Sequence, residues 1–145
     1  MDDVVGGLSL NLSDVADEAV RLAIAAPLIR YNESRVGFRD YKPLVIELRN
    51  AEGAIVGGLW GATGYGWLFV QLLAVPEDLH GHGIGRRLMQ TAEAEALSRG
   101  CHGAWLDTFE FQARGFYEKL GYSCFASLDE YPKGFSRFYM RKRLK

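Results

Sequence analysis

The run Leu72-Leu73-Ala74-Val75-Pro76-Glu77-Asp78-Leu79-His80-Gly81-His82-Gly83-Ile84-Gly85-Arg86-Arg87-Leu88 is where residue types and spacing could do chemistry. An apolar strand ends, a glycine-rich turn follows, and two arginines open a helix. Gly81, Gly83 and Gly85 alternate with other residues, so the backbone turns sharply without Cβ clashes. Such a turn leaves several N–H groups unpaired at a helix N-terminus, a ready seat for an anion such as phosphate. The competing reading is a tight strand-to-helix turn with no ligand. A dinucleotide fingerprint needs a third glycine three residues after the second, and reading from Gly81 and Gly83 that position holds Arg86. A Walker loop needs Gly-Lys-Ser/Thr, which is absent. ATP and NAD are therefore disfavoured. His80 and His82 make a conceivable metal pair, but no third ligand stands near them in sequence, so no metal is expected.

The surrounding elements must position that turn. Ser13 and Asp14 read as N-caps of a helix running to about Ala26, with Pro27 ending it or opening a second one. Pro43–Arg49 and Ala54–Ala62 read as strands joined by the hairpin signal Asn50-Ala51-Glu52-Gly53. After a turn at Thr63–Gly66, Trp67–Val75 is almost continuously apolar and is expected to be central and buried on both faces. Gly85–Arg99 reads as a helix with Ile84, Leu88, Ala92 and Ala96 on one face and Gly100 as its left-handed stop. Ala104–Thr108 is a short strand, and Gln112–Leu120 a helix stopped by Gly121. Tyr122–Leu128 and Ser136–Arg143 are two closing strands around a loop with Pro132 and Gly134. The pattern is an α/β domain with a mixed sheet.

Composition narrows the function classes. At 145 residues, a single domain spanning 1–145 is expected. With 48% hydrophobic and 24% charged residues the chain is ordinary globular. A formal net charge of -1 gives no bulk attraction to nucleic acid. The basic C-terminal run (Arg137, Arg141, Lys142, Arg143, Lys145) alternates with apolar residues, as a solvated edge strand does. Cys101 and Cys124 match no metal spacing or disulfide framework. No signal peptide and no membrane-spanning run is read, so a cytoplasmic location is expected.

The segment His80-Gly81-His82-Gly83-Ile84-Gly85 resembles the coenzyme A pyrophosphate loop of the GNAT superfamily of N-acetyltransferases. That loop usually reads Arg or Gln, two variable residues, Gly, one variable residue, then Gly or Ala. A second block, Ala113-Arg114-Gly115-Phe116-Tyr117-Glu118-Lys119-Leu120-Gly121-Tyr122, resembles the later helix of the same family. Two positions depart from the pattern: His80 replaces the usual Arg or Gln, and Glu110 stands where many members have Asn.

The resemblance implies a mixed, mostly antiparallel sheet splayed at a bulge and flanked by helices. It implies direct acetyl transfer from acetyl-CoA to a primary amine, most simply of a small molecule. The N–H of Leu73 would meet the thioester carbonyl and Val75 would pair with the pantetheine amides. A preset N–H at a developing oxyanion contributes a few kcal/mol, roughly 10²- to 10³-fold in rate. The N–H groups of Gly81, His82, Gly83, Ile84, Gly85 and Arg86 would cradle the diphosphate, beside His80. Tyr117 would protonate the departing thiolate. An alkyl amine with a pKa of about 10.4 is only about one-thousandth neutral near pH 7.4, so a proton must be removed before attack. Glu110, Asp107 and a water relay are the candidates for that base. Tyr31, Asn32, Tyr131 and Lys133 lie on segments that flank the acceptor in similar proteins. Cys101 and Cys124 lie away from the thioester positions, which argues against a covalent enzyme intermediate. Dimers are common in similar proteins; no membrane or nucleic-acid partner is implied. The alternative is a non-catalytic acyl-CoA-binding module that keeps the glycine loop and makes no use of Tyr117.

Overall fold

The computed structural model describes residues 3–145. The chain divides into two compact units, one ending at Arg39 and the other Asp40–Lys145.

In the first unit, β1 (Asp3–Val4) and β2 (Leu8–Ser9) form a two-stranded antiparallel ribbon. The helix α1 spans Glu18–Val36. Its N-cap is Asp17, whose carboxylate accepts from Ala19 N–H at 2.8 Å. Ser13 instead accepts from Val15 N–H in a local turn, so the expected cap at Ser13 or Asp14 lies several residues too early. Pro27 neither ends nor restarts the helix. It removes one backbone donor, but Ala25, Ala26 and Leu28 are good helix formers and no cap residue stands beside it. The stop comes at Gly37, whose positive φ of 85° suits a residue without Cβ.

The second unit is a six-stranded sheet in the order β3-β4-β5-β6-β8-β7. Its strands are β3 (Lys42–Arg49), β4 (Ile55–Gly64), β5 (Trp67–Ala74), β6 (Gly103–Phe109), β7 (Ser123–Leu128) and β8 (Arg137–Arg143). Only β5 and β6 run parallel; every other pairing is antiparallel. The crossover between them carries α2 (Ile84–Ser98), and α3 (Arg114–Lys119) lies between β6 and β7. The α2 stripe Leu88, Met89, Ala92 and Ala96 is buried, and Met89, Ala92 and Ala96 share one core with Leu59, Leu68, Val70, Ala104, Leu106 and Met140. Tyr117 and Tyr122 join the same core, so α2 and α3 cover the same face.

The decisive irregularity lies in β5. Trp60 pairs with Leu72 but Gly61 pairs with Val70, so Gln71 is an extra residue bulged out of the ladder. The parallel pairing with β6 stops at the same place, its last partners being Val70 and Leu106. Beyond that point β5 and β6 diverge, and the sheet opens between their C-terminal halves. The burial follows: Leu68 and Val70 are buried, whereas Gln71, Leu72 and Ala74 are exposed. The strand is central in the sheet but is not buried on both faces along its length, because beyond the bulge it keeps β4 as a partner and loses β6. Among the described residues no helix is long and apolar enough to cross a membrane.

Gly61 stands opposite the bulge, where a Cβ would lie 2.3 Å from the Phe69 carbonyl oxygen. Gly61→Ala should therefore destabilise the fold by about 2 kcal/mol or more, read as a lower urea midpoint, because backbone rather than a flexible side chain must yield.

Candidate active site

The bulge decides where the backbone groups of β5 point. The Ala74 carbonyl faces β4, since a Cβ on Gly57 would lie 2.4 Å from its oxygen. Alternation along the strand turns the N–H and C=O of Leu73 away from β4, into the gap that β6 has vacated.

The chain then passes through the short 3-10 turn Glu77–Leu79 into the glycine run. Gly81 and Gly83 have φ of 85° and 76°, in the left-handed region that glycine adopts without strain. Gly83 is the N-cap of α2 and offers no side-chain cap. The first bond into the helix is donated by Arg87 N–H to the Gly83 carbonyl. Among the described residues, the N–H groups of Gly81, His82, Gly83, Ile84, Gly85 and Arg86 have no protein acceptor. An unpaired run of donors at the positive end of a fifteen-residue helix is an anion cradle. Arg86 and Arg87 are exposed on its first turn and make no ion pair among the described residues.

His80 has a task that spacing did not reveal. Its Nε2–H donates to the Val75 carbonyl at 2.9 Å, tying the end of β5 to the start of the glycine run. That carbonyl therefore already accepts one hydrogen bond from within the chain.

Tyr117 is delivered by a tightly bonded connection. The Gln112 side-chain oxygen accepts Phe109 N–H at 2.8 Å and the Thr108 hydroxyl at 3.3 Å. This knot follows β6 and leads into α3, where Tyr117 is 7% exposed. Its ring meets Phe116 and Tyr122 edge-on, with centroids 5.0 and 6.0 Å away. Its hydroxyl has no hydrogen-bond partner among the described residues and is not among the polar atoms sealed from solvent. Burial first, then the nearby Asp107 carboxylate, pushes its pKa up to about 12, so the phenol is neutral throughout the physiological range. Tyr122 is held from behind: its hydroxyl donates to Glu93 at 2.9 Å, and Lys142 bonds the same carboxylate at 2.7 Å. Burial and Glu93 raise the Tyr122 pKa further still. Phe116 links the two regions, because a Cβ on Gly85 would stand 3.2 Å from its ring.

The two carboxylates considered as bases differ. Asp107 Oδ1 accepts two N–H bonds from Arg137, at 2.9 and 2.6 Å. Glu110 lies exposed in the β6–α3 connection and makes no ion pair among the described residues, though one oxygen accepts Ser136 N–H at 2.7 Å. Tyr131 and Lys133 fall on the β7–β8 loop; Tyr31 and Asn32 fall on α1, in the first unit.

The family model described as "Acetyltransferase (GNAT) family" matches residues 4–122 of this chain. The chain belongs to the GNAT acetyltransferase family. It is 45% identical over 136 residues to the acetyltransferase Atu2258 of Agrobacterium fabrum, covering 94% of this chain and 99% of the relative. It is also similar to a blasticidin-S acetyltransferase of Streptomyces morookaense, 42% identical over 93 residues, covering 63% and 68% of the two chains. A crystal structure of an Agrobacterium tumefaciens protein assigned as an acetyltransferase superposes with a TM-score of 0.88 at 43% identity, covering 94% and 99%. The six-stranded, mostly antiparallel sheet that opens at Gln71 is the GNAT fold expected from the two motifs.

Within this family member the buried phenol makes a pH prediction. The unfolded tyrosine ionises near 10, the folded one near 12, so the folded chain keeps a proton that the unfolded chain sheds. The stabilisation is complete below pH 10 and disappears as pH rises through 12, an alkaline loss of about 3 kcal/mol. Tyr117→Phe should remove that share, flattening the alkaline fall of the urea midpoint measured above about pH 9.

Proposed function

We propose that the chain transfers an acetyl group directly from acetyl-CoA to the primary amine of a small molecule. The observation that carries this reading is the unpaired N–H run Gly81–Arg86 beside the open edge of β5. Those donors fit a diphosphate: they are consecutive, at a helix N-terminus, and flanked by the exposed Arg86 and Arg87. When bound, coenzyme A supplies a thioester carbonyl and a thiolate leaving group. The Leu73 N–H supports the oxyanion that develops on the carbonyl, and it is already oriented before reaction. The Val75 N–H holds the pantetheine arm, while His80 keeps the adjoining carbonyl engaged and the strand end fixed.

Tyr117 then donates its proton to the departing sulfur. A neutral phenol suits that step because it brings no charge into a site whose pyrophosphate is already anionic, and it is fully protonated at working pH. Glu110, directly or through one water, removes the ammonium proton before attack. It carries no cation, whereas Asp107 is engaged by Arg137 and serves to hold the β6 end. The relatives support transferase chemistry: both are named acetyltransferases, and one name gives blasticidin S, a small molecule, as its substrate.

Thiol release over a panel of small amines tests this reading. Release that depends on an amine, with a matching acetyl mass shift on it, is expected. A chain that only binds acyl-CoA would release none. Tyr117→Phe should lower kcat by about 10²-fold, the scale of general acid catalysis, while the coenzyme A Kd stays within about twofold. Unchanged kcat across the pH range would remove Tyr117 from the reaction.

A further inference from the structure

Around the C-terminal end of β6 lies a group of aromatic rings larger than the core requires. Phe109 and Phe111 stack in parallel at 5.3 Å between centroids, Phe111 meets Phe135 edge-on at 5.3 Å, and Phe109 meets Tyr131 at 5.6 Å. The inner ring, Phe109, is half-buried; Phe111 is 55% exposed, and Tyr131 and Phe135 are each 43% exposed. The β7–β8 loop that carries two of them closes on itself, with Tyr131 N–H donating to Phe135 O and Phe135 N–H to Pro132 O, both at 2.9 Å. The rings are therefore held in place. They adjoin the opening between β5 and β6, because Phe109 ends the part of β6 that β5 has left.

The cluster already shows which chemistry it accepts. The Arg137 guanidinium carbon sits 5.1 Å from the Phe109 centroid, 4.9 Å from Tyr131 and 5.6 Å from Tyr139. That guanidinium is neutralised by Asp107. Phe111 and Phe135 have no such partner among the described residues, and Tyr131 shares Arg137 with Phe109. Around them Glu110 and Asp129 share Ser136, one on its N–H at 2.7 Å and one on its hydroxyl at 3.1 Å. Neither carboxylate, nor Glu130 beside them, makes an ion pair among the described residues. Lys133 is the only cation on the same loop, so the field at the rings is negative. Exposed ring faces in a negative field favour a flat, weakly hydrated cation over a compact ammonium.

We propose that Phe111, Tyr131 and Phe135 form an acceptor wall that selects amines also carrying a flat cation, a guanidinium or a protonated heteroaromatic ring. This rests on the transferase reading above and names the acceptor class for it.

Agmatine and cadaverine make a matched pair of probes. Each presents an unhindered primary amine on a short aliphatic chain, with a second cation at the far end, flat in one and tetrahedral in the other. The wild-type chain should show kcat/KM about tenfold higher for agmatine. In Phe111→Ala/Phe135→Ala that ratio should collapse towards one while the coenzyme A Kd holds. If that variant fails to fold, Phe111→Leu keeps most of the volume without the ring face, and the ratio should fall there too. Equal kcat/KM for the two probes in the wild type, or a ratio that the variants leave untouched, overturns the wall and leaves acetyl transfer standing. Coenzyme A binding with no turnover of any amine overturns both.

Discussion

One extra residue in one strand underlies the rest. Gln71 cannot pair in the β4–β5 ladder, which resumes at Leu72, while β5 parts from β6 after Val70 and Leu106. A parallel pair that stayed zipped would consume the Leu73 N–H in the sheet. Because it does not, the sheet interior offers a main-chain donor to something other than protein. The cost is met locally: Gly61 lets β4 approach where a side chain would strike Phe69, and Leu73 still packs on the core. The opening also places the mouth of the site at the C-terminal ends of two parallel strands, where an α/β crossover delivers the N-terminus of its helix.

The donors of the glycine run, the β5 edge and Tyr117 belong to different segments, yet few contacts hold them in register. His80 bonds Val75, so the run cannot drift from the strand that precedes it. Phe116 rests on Gly85, so the residue beside the phenol touches the first turn of α2. The Tyr122–Glu93–Lys142 network fixes the far end of α3 to α2 and β8. A missing Cβ at Gly85 is therefore a packing requirement, whereas at Gly81 and Gly83 it is a backbone requirement. Three glycines that look alike in a motif answer two different physical demands.

Much of this was legible in the sequence because local rules governed it. The Asn50–Gly53 turn, the Gly100 and Gly121 stops and the apolar stripe of α2 follow from turn chemistry and helical period, and they appear where those rules put them. The burial of Trp67–Val75 was not legible, since a bulge depends on the partner strand and leaves no mark in hydrophobicity. Pro27 misled because a proline stops a helix only when nothing else favours continuing. The resemblance singled out Gly81–Arg86 and Tyr117, where the structure has an unpaired run of N–H donors and a buried phenol. The side-chain wiring around them was not legible. No pattern reports that His80 turns back to Val75, that Asp107 is held by Arg137, or that Ser136 receives two carboxylates. Those bonds join positions five, thirty, twenty-six and seven residues apart, and the register of β6 on β8 brings Asp107 to Arg137 and Glu110 to Ser136.

That register also explains why Asp107 is paired and Glu110 is not. Asp107 faces Tyr139, and Arg137 lies two residues along β8 from that partner on the same side of the sheet, so the ion pair follows from the β6–β8 ladder itself. Asp107 is thereby fixed within electrostatic reach of Tyr117, where its charge helps keep the phenol protonated. Glu110 lies past the last paired residue, Phe109, where the ladder no longer supplies a cation. The sheet therefore sorts the two acids by where it ends: inside the ladder the carboxylate is paired with an arginine, and just beyond it the carboxylate has no cation among the described residues.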